Sequence, residues 1–414
     1  MSVGLIAGSQ RVAGSGQRRS PSPASGNAHE PLGRESGDEL PGSIVPSCRT
    51  VLMVGTDLRG MGGVRAVVKG YMDGGLFERV DCTYAATHRY GPPWVKVWAA
   101  LTGWARVAKL LLTLERPLVH VHLSAHASFW RKWIVCLMAR LAGRPYLLHL
   151  HSGFFPEFYE QSGPLARRLI RGTFADAAVV IALSEQWRSW LFRICASARI
   201  EVLANAVALP DLGRQRQLQA AESKLLFLGD ISRSKGVFDL VQAFARVSAE
   251  FPHLKLICGG VGAVEELCRL RGELGVDRER LCCPGWLETE RARSALAGAT
   301  IFVLPSHAEA LPMALLEAMS WSLPVITTPV GGIPQVIESE VNGLLVAPGD
   351  IDAIAAAIAR LMREPALRAK LGGAARRTIE QSYSLDAAVE RLIQIYRRFG
   401  IEPQPPRDAG AADH

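Results

Sequence analysis

Two carboxylates eight positions apart, Glu309 and Glu317, lie in the stretch SHAEALPMALLEAMSWSLPVITTPVGGIPQVIE, residues 306–338. Between them stands Leu311-Pro312, and proline suits the first turn of a helix because its missing N–H would be unpaired there anyway. A helix opening near Pro312 carries Glu317 on its second turn, at roughly 3.6 residues per turn, and leaves Glu309 in the loop before it. Both carboxylates then face a ligand lying across the helix N-terminus, where free N–H groups and the helix dipole attract phosphate. Such a place holds hydroxyls and a diphosphate together. Read by spacing alone, the stretch equally suits an ordinary α/β unit with Glu309 solvated and Glu317 on a helix surface.

Other residues have spacings that suit the same chemistry. In FLGDISRSKG, residues 227–236, a strand runs into a loop with two cations, Arg233 and Lys235, and then a helix start. A lysine there neutralises a leaving diphosphate, although a surface loop would read the same way. Gly60, Gly62 and Gly63 follow the first strand and let backbone amides approach a phosphate; a plain turn is the other reading. Neither this cluster nor Gly259-Gly260-Val261-Gly262 fits the dinucleotide fingerprint, since Glu265 occupies the third glycine position of the latter. Histidines sit in pairs at strand ends, His120 with His122 and His149 with His151, and alternation points each pair to one side of its strand. His151 comes last, beside Ser152-Gly153, and is best placed to reach a cleft; the other three read as buried, hydrogen-bonded histidines. Asp350-Ile351-Asp352 matches the DxD pattern of metal-dependent sugar transferases. Because Pro348-Gly349 precedes it and an apolar helix pattern follows, Asp350 reads as a helix N-cap, and no metal is expected.

The elements that must position these groups follow from length and pattern. At 414 residues, with 49% hydrophobic and 21% charged residues, the chain is expected to fold as two globular domains. Apolar runs are broken well before ~18 residues, so no transmembrane helix is expected, and no signal-peptide pattern opens the chain. Eight cysteines without CxxC or Cys/His spacing argue for reduced thiols and a cytoplasmic location, and against a zinc site. The net charge of +8 is unevenly placed. Residues 49–208 carry 20 basic and 10 acidic side chains, whereas 1–48 and 209–399 are each balanced. That field favours an anionic partner: a membrane surface, a diphosphate or nucleic acid. The last is disfavoured because no aromatic-basic readout motif accompanies it.

Residues 1–48, rich in Ser, Gly, Pro and Arg, are expected to be a disordered tail. From Thr50 onward, short apolar strands alternate with 3.6-periodic helices, and after a polar lapse near 208–219 the alternation resumes. It predicts an N-terminal domain over 49–208, a C-terminal domain over 209–385, a last helix over 386–399 packing back on the N-terminal domain, and a loose tail over 400–414. The fold class is α/β: two Rossmann-like, doubly wound parallel sheets facing a central cleft, with ligands at the carboxyl ends of the strands. Trp94, Trp98 and Trp104 with Lys96, Arg106 and Lys109 fall on one helix, Phe129–Trp133 opens another, and Arg167, Arg168 and Arg171 lie on a third. Basic helices with tryptophans suit an anionic bilayer surface; core tryptophans under a solvated basic face are the alternative.

Assembled, these residues resemble a family-4 glycosyltransferase of the GT-B fold, the group that includes many bacterial exopolysaccharide and lipopolysaccharide sugar transferases. The likeness spans roughly 50–399 and is strongest in PSHAEALPMALLEAMSWSLPVITTPVGGIPQVI. The resemblance implies that Glu309 contacts the donor sugar hydroxyls, that Glu317 binds the ribose, and that amides at Ala310 and Leu311 meet the diphosphate. It further implies that Lys235 is the phosphate-loop lysine, that Gly62 and Gly63 approach donor and acceptor, and that His151 lies beside the reacting sugar. Three positions depart from the pattern. Asp230 stands where an arginine is usual, with Arg233 as the candidate replacement; Ala310 and Ser322 stand where glycines are common.

The expected function is metal-independent transfer of a hexose from a UDP- or GDP-sugar to a polyprenyl-diphosphate-linked or glycan acceptor, with retained configuration as the resemblance implies. No cofactor is expected, and the anionic inner face of the plasma membrane is a candidate partner. The rival readings are a nucleotide-sugar epimerase or hydrolase of the same architecture, or a catalytically weak sugar-nucleotide binding protein.

Overall fold

The structure is a computed structural model that describes residues 47–60, 62–212 and 223–404. The tail expected over 1–48 and the end of the one expected over 400–414 fall outside these residues, with two corrections at their inner edges. Cys48 is fully buried and its amide donates to Phe399 O at 2.7 Å. Ile401 is buried too, and Gln404 N donates to Arg79 O at 2.7 Å. The chain on both sides of the folded body is therefore anchored further than polar composition suggested.

Two six-stranded parallel sheets organise the chain. The first contains β1 (Thr50–Gly55), β2 (Cys82–Ala86), β3 (Pro117–Leu123), β4 (Tyr146–Leu150), β5 (Val179–Ala182) and β6 (Ile200–Val202), in the order β2-β1-β3-β4-β5-β6. The second contains β7 (Lys224–Leu228), β8 (Lys255–Gly259), β9 (Leu281–Gly285), β10 (Ile301–Leu304), β11 (Val325–Thr327) and β12 (Leu344–Leu345), in the order β12-β11-β10-β7-β8-β9. The central strands are near-continuous runs of Val, Leu and Ile, as strands covered by helices on both faces require. Around the first sheet lie α1 (Gly63–Asp73), α2 (Leu76–Arg79), α3 (Pro93–Thr113), α4 (Ala127–Leu141), α5 (Phe155–Gln161), α6 (Pro164–Ala175) and α7 (Glu185–Ile194). Around the second lie α8 (Val237–Val247), α9 (Val264–Glu273), α10 (Thr289–Ala297), α11 (Met313–Ser320), α12 (Ile351–Arg363) and α13 (Pro365–Ser382), and α14 (Leu385–Arg397) closes the chain.

Alternation along β3 shows how the first sheet is covered. Val119, Val121 and Leu123 join one core with Phe129 of α4 and Phe174 of α6. Leu118 points the other way, into a second core with Val68 and Tyr71 of α1 and Leu392 and Tyr396 of α14. The chain returns to this lobe through a short parallel bridge: Val207 N donates to Tyr383 O and Leu385 N to Val207 O, both at 3.0 Å. From there α14 lies on the first sheet, so the two lobes are joined at residues 203–207 and again at 383–385.

The tryptophan helices divide. On α3, Trp94 and Trp98 are 72% and 66% exposed, while Trp104 packs on the core and donates from Nε1 to Arg131 O at 3.1 Å. On α4, Phe129 and Lys132 are buried and Trp130 and Trp133 pack against the core, so Phe129–Trp133 is no surface patch. Among the described residues no helix is long and apolar enough to cross a membrane.

Candidate active site

In the second sheet β7 comes first in sequence but has β8 on one side and β10 on the other. Open parallel sheets bind ligands at such a reversal, outside the carboxyl ends of the strands. The loops that leave β7 and β10 carry Lys235 and Glu309. Lys235 Nζ stands 2.6 Å from Glu309 Oε1, and the same oxygen accepts from Ser306 Oγ at 2.9 Å. Glu309 is buried except for its face toward the cleft. Ser306 is itself fixed by Thr328, whose hydroxyl donates to Ser306 O at 2.5 Å.

Backbone packing holds the Glu309 loop in place. Gly331 has φ +57°, and a Cβ there would fall 1.8 Å from Glu309 O. Gly332 N donates to Ala310 O at 2.6 Å. From the first lobe, a Cβ on Gly153 would meet Glu309 C at 2.6 Å, and Asn205 Nδ2 donates to Leu311 O at 2.7 Å. The Ala310 and Leu311 amides, by contrast, donate to no protein acceptor among the described residues. Both residues line the cleft just before the start of α11, where unpaired N–H groups and the helix dipole favour an anion.

Glu317, on the second turn of α11, lines the same cleft and has no side-chain hydrogen bond among the described residues. Burial on its protein-facing side pushes its pKa up to about 7, partly offset by the nearby Arg293 of α10. A carboxyl left unpaired at a cleft wall is available to ligand hydroxyls.

The facing wall belongs to the first lobe, where β1 and β3 flank the corresponding reversal. Gly62, with φ +110°, and Gly63 open α1 toward the cleft. Gly62 leaves room for Tyr90, whose hydroxyl would lie 3.0 Å from a Cβ. His151 follows β4; its amide donates to Leu123 O at 2.9 Å, and its Nε2 lies 2.8 Å from His122 Nδ1. Burial holds the His151 pKa down to about 3, so the ring is neutral. The cleft between the walls has a volume of about 1020 Å³, enough for a nucleotide with a sugar attached.

Seven of the expected residues therefore meet at one cleft: Gly62, Gly63, His151, Lys235, Glu309, Ala310 and Leu311, with Glu317 as an eighth. Arg233 does not. Its guanidinium pairs with Glu266 and lies 4.9 Å from the Phe238 ring centroid, outside the cleft. The expectation that it replaces the missing arginine is corrected: the one-turn 3₁₀ segment 233–235 turns Lys235 inward and Arg233 outward. Asp230, at the usual arginine position, does line the cleft. Asp350 caps α12, accepting from Ala353 N at 2.9 Å, and Asp352 pairs with Arg246, so neither reaches the site.

Sequence reasoning missed Lys132, Asn205 and Arg293. Lys132 is buried and donates to Gly55 O at 2.9 Å and to the Thr87 hydroxyl; burial lowers its pKa to about 7. In sequence it is one cation of a Trp-Arg-Lys-Trp run, and nothing local marks it as the buried one. Asn205 had a signal, a lone amide inside the apolar run Leu203–Leu209.

The sequence model described as "Glycosyl transferase 4-like domain" matches residues 50–206, and that described as "Glycosyl transferases group 1" matches 212–378. The alpha-maltose-1-phosphate synthase of Mycobacterium tuberculosis is 32% identical over 334 residues, covering 70% of this chain and 83% of the relative. The alpha-D-kanosaminyltransferase of Streptomyces kanamyceticus is 27% identical over 304 residues, covering 68% and 78%. Among solved structures, sucrose-phosphate synthase from Thermosynechococcus elongatus superposes with a TM-score of 0.69 at 20% identity, over 84% of this chain and 98% of that one. Anabaena HepE in complex with UDP-glucose does so at 0.67 and 18%, over 84% and 99%. At those identities the structural likeness speaks for the fold, and the sequence matches speak for the lineage. The chain belongs to the family-4 glycosyltransferases of the GT-B fold.

Proposed function

We propose that the chain transfers a hexose from a nucleoside diphosphate sugar, UDP- or GDP-linked, to a lipid-linked or glycan acceptor, with retention of anomeric configuration. The observation that carries this reading is the Lys235–Glu309 pair beside the free Ala310 and Leu311 amides, at the strand reversal of the second sheet. Lys235 has three donor protons and gives one to Glu309, which leaves the others for a diphosphate. As the bond between the sugar C1 and the diphosphate oxygen breaks, the departing oxygens gain charge. Lys235, the two amides and the α11 dipole oppose that charge with little reorganisation, and one aimed donor of this kind is worth on the order of 100- to 1000-fold in rate.

Glu309 and Glu317 accept from hydroxyls, of the sugar and the ribose respectively, and neither serves as a glycosidase-type acid or nucleophile. The neutral His151, its Nε2 paired with His122, offers Nδ1 to a sugar hydroxyl. The acceptor oxygen attacks C1 from the first-lobe side, and its proton passes to the leaving diphosphate. Metal-independence is part of the proposal, because the cation this leaving group needs is a lysine already at the site. Relatives whose names carry an α-anomer support retention, and the structural neighbour in complex with UDP-glucose supports a nucleotide-sugar donor.

Exposed Trp94 and Trp98 with Lys96 on α3, on the lobe that carries the excess positive charge, favour docking on the anionic inner face of a membrane, where a polyprenyl-linked acceptor would be met. On this reading the reaction belongs to the synthesis of cell-surface polysaccharide.

The test is a panel of UDP-, GDP- and ADP-sugars incubated with a membrane fraction and scored for labelled lipid or glycan product. Release of free sugar or an isomer without any acceptor would point to a hydrolase or epimerase instead. No turnover of any donor would leave a binding protein.

A further inference from the structure

The histidine pairs of β3 and β4 form one buried array. His122 lies beside His149 in the β3–β4 register, and His120 is two residues earlier on β3. All three are buried, with ring centroids 4.4 to 5.4 Å apart, beneath α1 and α14. They were expected to be buried and hydrogen-bonded; all three are buried, His120 and His122 are bonded through one nitrogen each, and His149 through neither among the described residues. His120 Nδ1 lies 2.6 Å from the Tyr396 hydroxyl, and His122 Nδ1 lies 2.8 Å from His151 Nε2. Among the described residues, Nε2 of both and both nitrogens of His149 have no partner although they are buried from solvent. The Tyr71 hydroxyl is unpartnered as well, on a ring 6.4 Å from that of His122 and 6.3 Å from that of His149.

Buried polar side-chain atoms almost always find a partner, and each one that does not costs about 1–3 kcal/mol. Here four such nitrogens, on three neighbouring histidines, are gathered in one place. One nitrogen from each of the three histidines lies within 4.8 Å of the others. His120 and His122 also share a pattern: Nδ1 held by a neighbour, Nε2 bare. With Nδ1–H as the donor in both, each Nε2 keeps a lone pair that no described residue uses. A histidine that ligates a metal is oriented in this way, its second nitrogen donating to a fixed acceptor.

We propose that His120, His122 and His149 form a binding site for a divalent transition metal of the zinc class, behind the wall of the donor cleft to which His122 also belongs. Neutral imidazoles suit such ions. Burial keeps all three rings in the neutral form that ligation needs. Metal–nitrogen bonds of ~2.0–2.1 Å at tetrahedral angles need nitrogens ~3.4 Å apart, so side-chain rotation draws the rings inward from their present spacing. Tyr71 or a water supplies a fourth oxygen ligand. The ion would cross-link β3 and β4 and, through the Tyr396 hydroxyl, tie α14 to the sheet. Through His122 it would also fix the ring of His151. None of this rests on the transfer reaction.

The experiment uses the full chain without a histidine tag. Protein treated with chelator and dialysed is titrated with Zn²⁺ and with Co²⁺, and the Co²⁺ form is examined by visible and X-ray absorption. Expected are stoichiometric binding, the intense visible bands of a four-coordinate Co²⁺ site, and three imidazole ligands. Tyr396→Phe, which removes an orienting partner and no ligand, lowers the affinity ~10–100-fold. His149→Phe, which keeps a ring in place, lowers it at least as much. Wild-type protein that binds neither ion stoichiometrically, or binds Co²⁺ with fewer than three imidazoles, overturns the proposal whether or not the variants fold. So does a folded His149→Phe protein that binds as tightly as wild type; the space then holds water.

Discussion

Lys235 and Glu309 stand 2.6 Å apart although 74 residues separate them, and each comes from the loop after one of the two strands, β7 and β10, that flank the reversal of the second sheet. Glu309 keeps one oxygen for this pair and for Ser306, so its other oxygen is the one left for a ligand. Lys235→Ala removes the cation opposite the leaving group. We expect kcat/KM to fall on the order of 100- to 1000-fold, mostly through kcat. Glu309→Gln should lower it comparably. The double variant should lose far less than the product of the two, because each single change already breaks the same pair. Steady-state rates with a nucleotide sugar decide this, and full activity in both single variants would remove these residues from the mechanism.

Glu317 gives a pH dependence whose sign is fixed. Its pKa is raised to about 7, so between about pH 4.5 and 7 the folded chain holds a proton there that the unfolded chain, near its ordinary 4.5, has lost. Its contribution to stability is fully present below about pH 4.5 and is lost as pH rises through about 7. Ligand binding runs the other way, since only the carboxylate accepts from two ribose hydroxyls. Affinity for a nucleotide sugar, whose diphosphate does not titrate in this range, should rise between pH 6 and 8. Glu317→Gln should bind roughly 10- to 100-fold more weakly at pH 8, as loss of charged hydrogen bonds implies, and show a flatter profile. Calorimetric titrations at several pH values test this; an unchanged profile in the variant would show that another group titrates.

How much of this was legible in the sequence depended on how local the signal was. The central strands, such as β1, β5 and β10, were plain because they are buried on both faces and so read as apolar runs. Glu309, Glu317 and Lys235 were legible because helix-start chemistry and strand ends confine them to one end of a sheet. Arg233 misled because a one-turn segment decides which of two neighbouring cations points inward, and the pattern SRSKG suits either. Lys132 was hidden for a different reason: its acceptors, Gly55 O and the Thr87 hydroxyl, lie more than 40 residues away and leave no local trace. The histidine array was half visible. Alternation put each pair on one side of its strand, but only the β3–β4 register shows that the pairs face each other. Ser322, noted as standing where glycine is usual, does adopt φ +58°, the left-handed backbone that glycine takes without strain.

The glycines around the Glu309 loop predict a contrast between two substitutions. Gly331→Ala forces a Cβ to within 1.8 Å of Glu309 O at a backbone angle unfavourable for alanine. Strain of about 1–3 kcal/mol should lower Tm by several degrees, and the displaced Glu309 should lower kcat/KM beyond what the stability loss explains. Gly272→Ala in α9 has nothing within 4 Å of the new Cβ and an ordinary helical angle. It should keep its activity and gain up to about 1 kcal/mol from the better helix former. Thermal melts and rates on the two proteins test the pair, and equal behaviour would show that the loop is not clamped.

The three tryptophans of α3 should separate membrane contact from folding. Trp94 and Trp98 are exposed and cover little of the core, so Trp94→Ser with Trp98→Ser should leave Tm within about 1 °C of wild type; surface changes of this kind move stability by less than about 0.5 kcal/mol. The same double variant should bind vesicles of anionic lipid more weakly by at least about 10-fold, since each ring inserted at the interface contributes buried apolar area and Lys96 alone supplies only charge. Trp104→Ala should do the reverse: it removes a core contact and the bond from Nε1 to Arg131 O, costing about 3–5 kcal/mol as large aromatic truncations do, with no change in lipid preference. Flotation of the three proteins with anionic and neutral vesicles reads the first effect and thermal melts the second. If the double variant floats as wild type does, the exposed rings meet something other than lipid, and the basic lobe must attract its acceptor by charge alone.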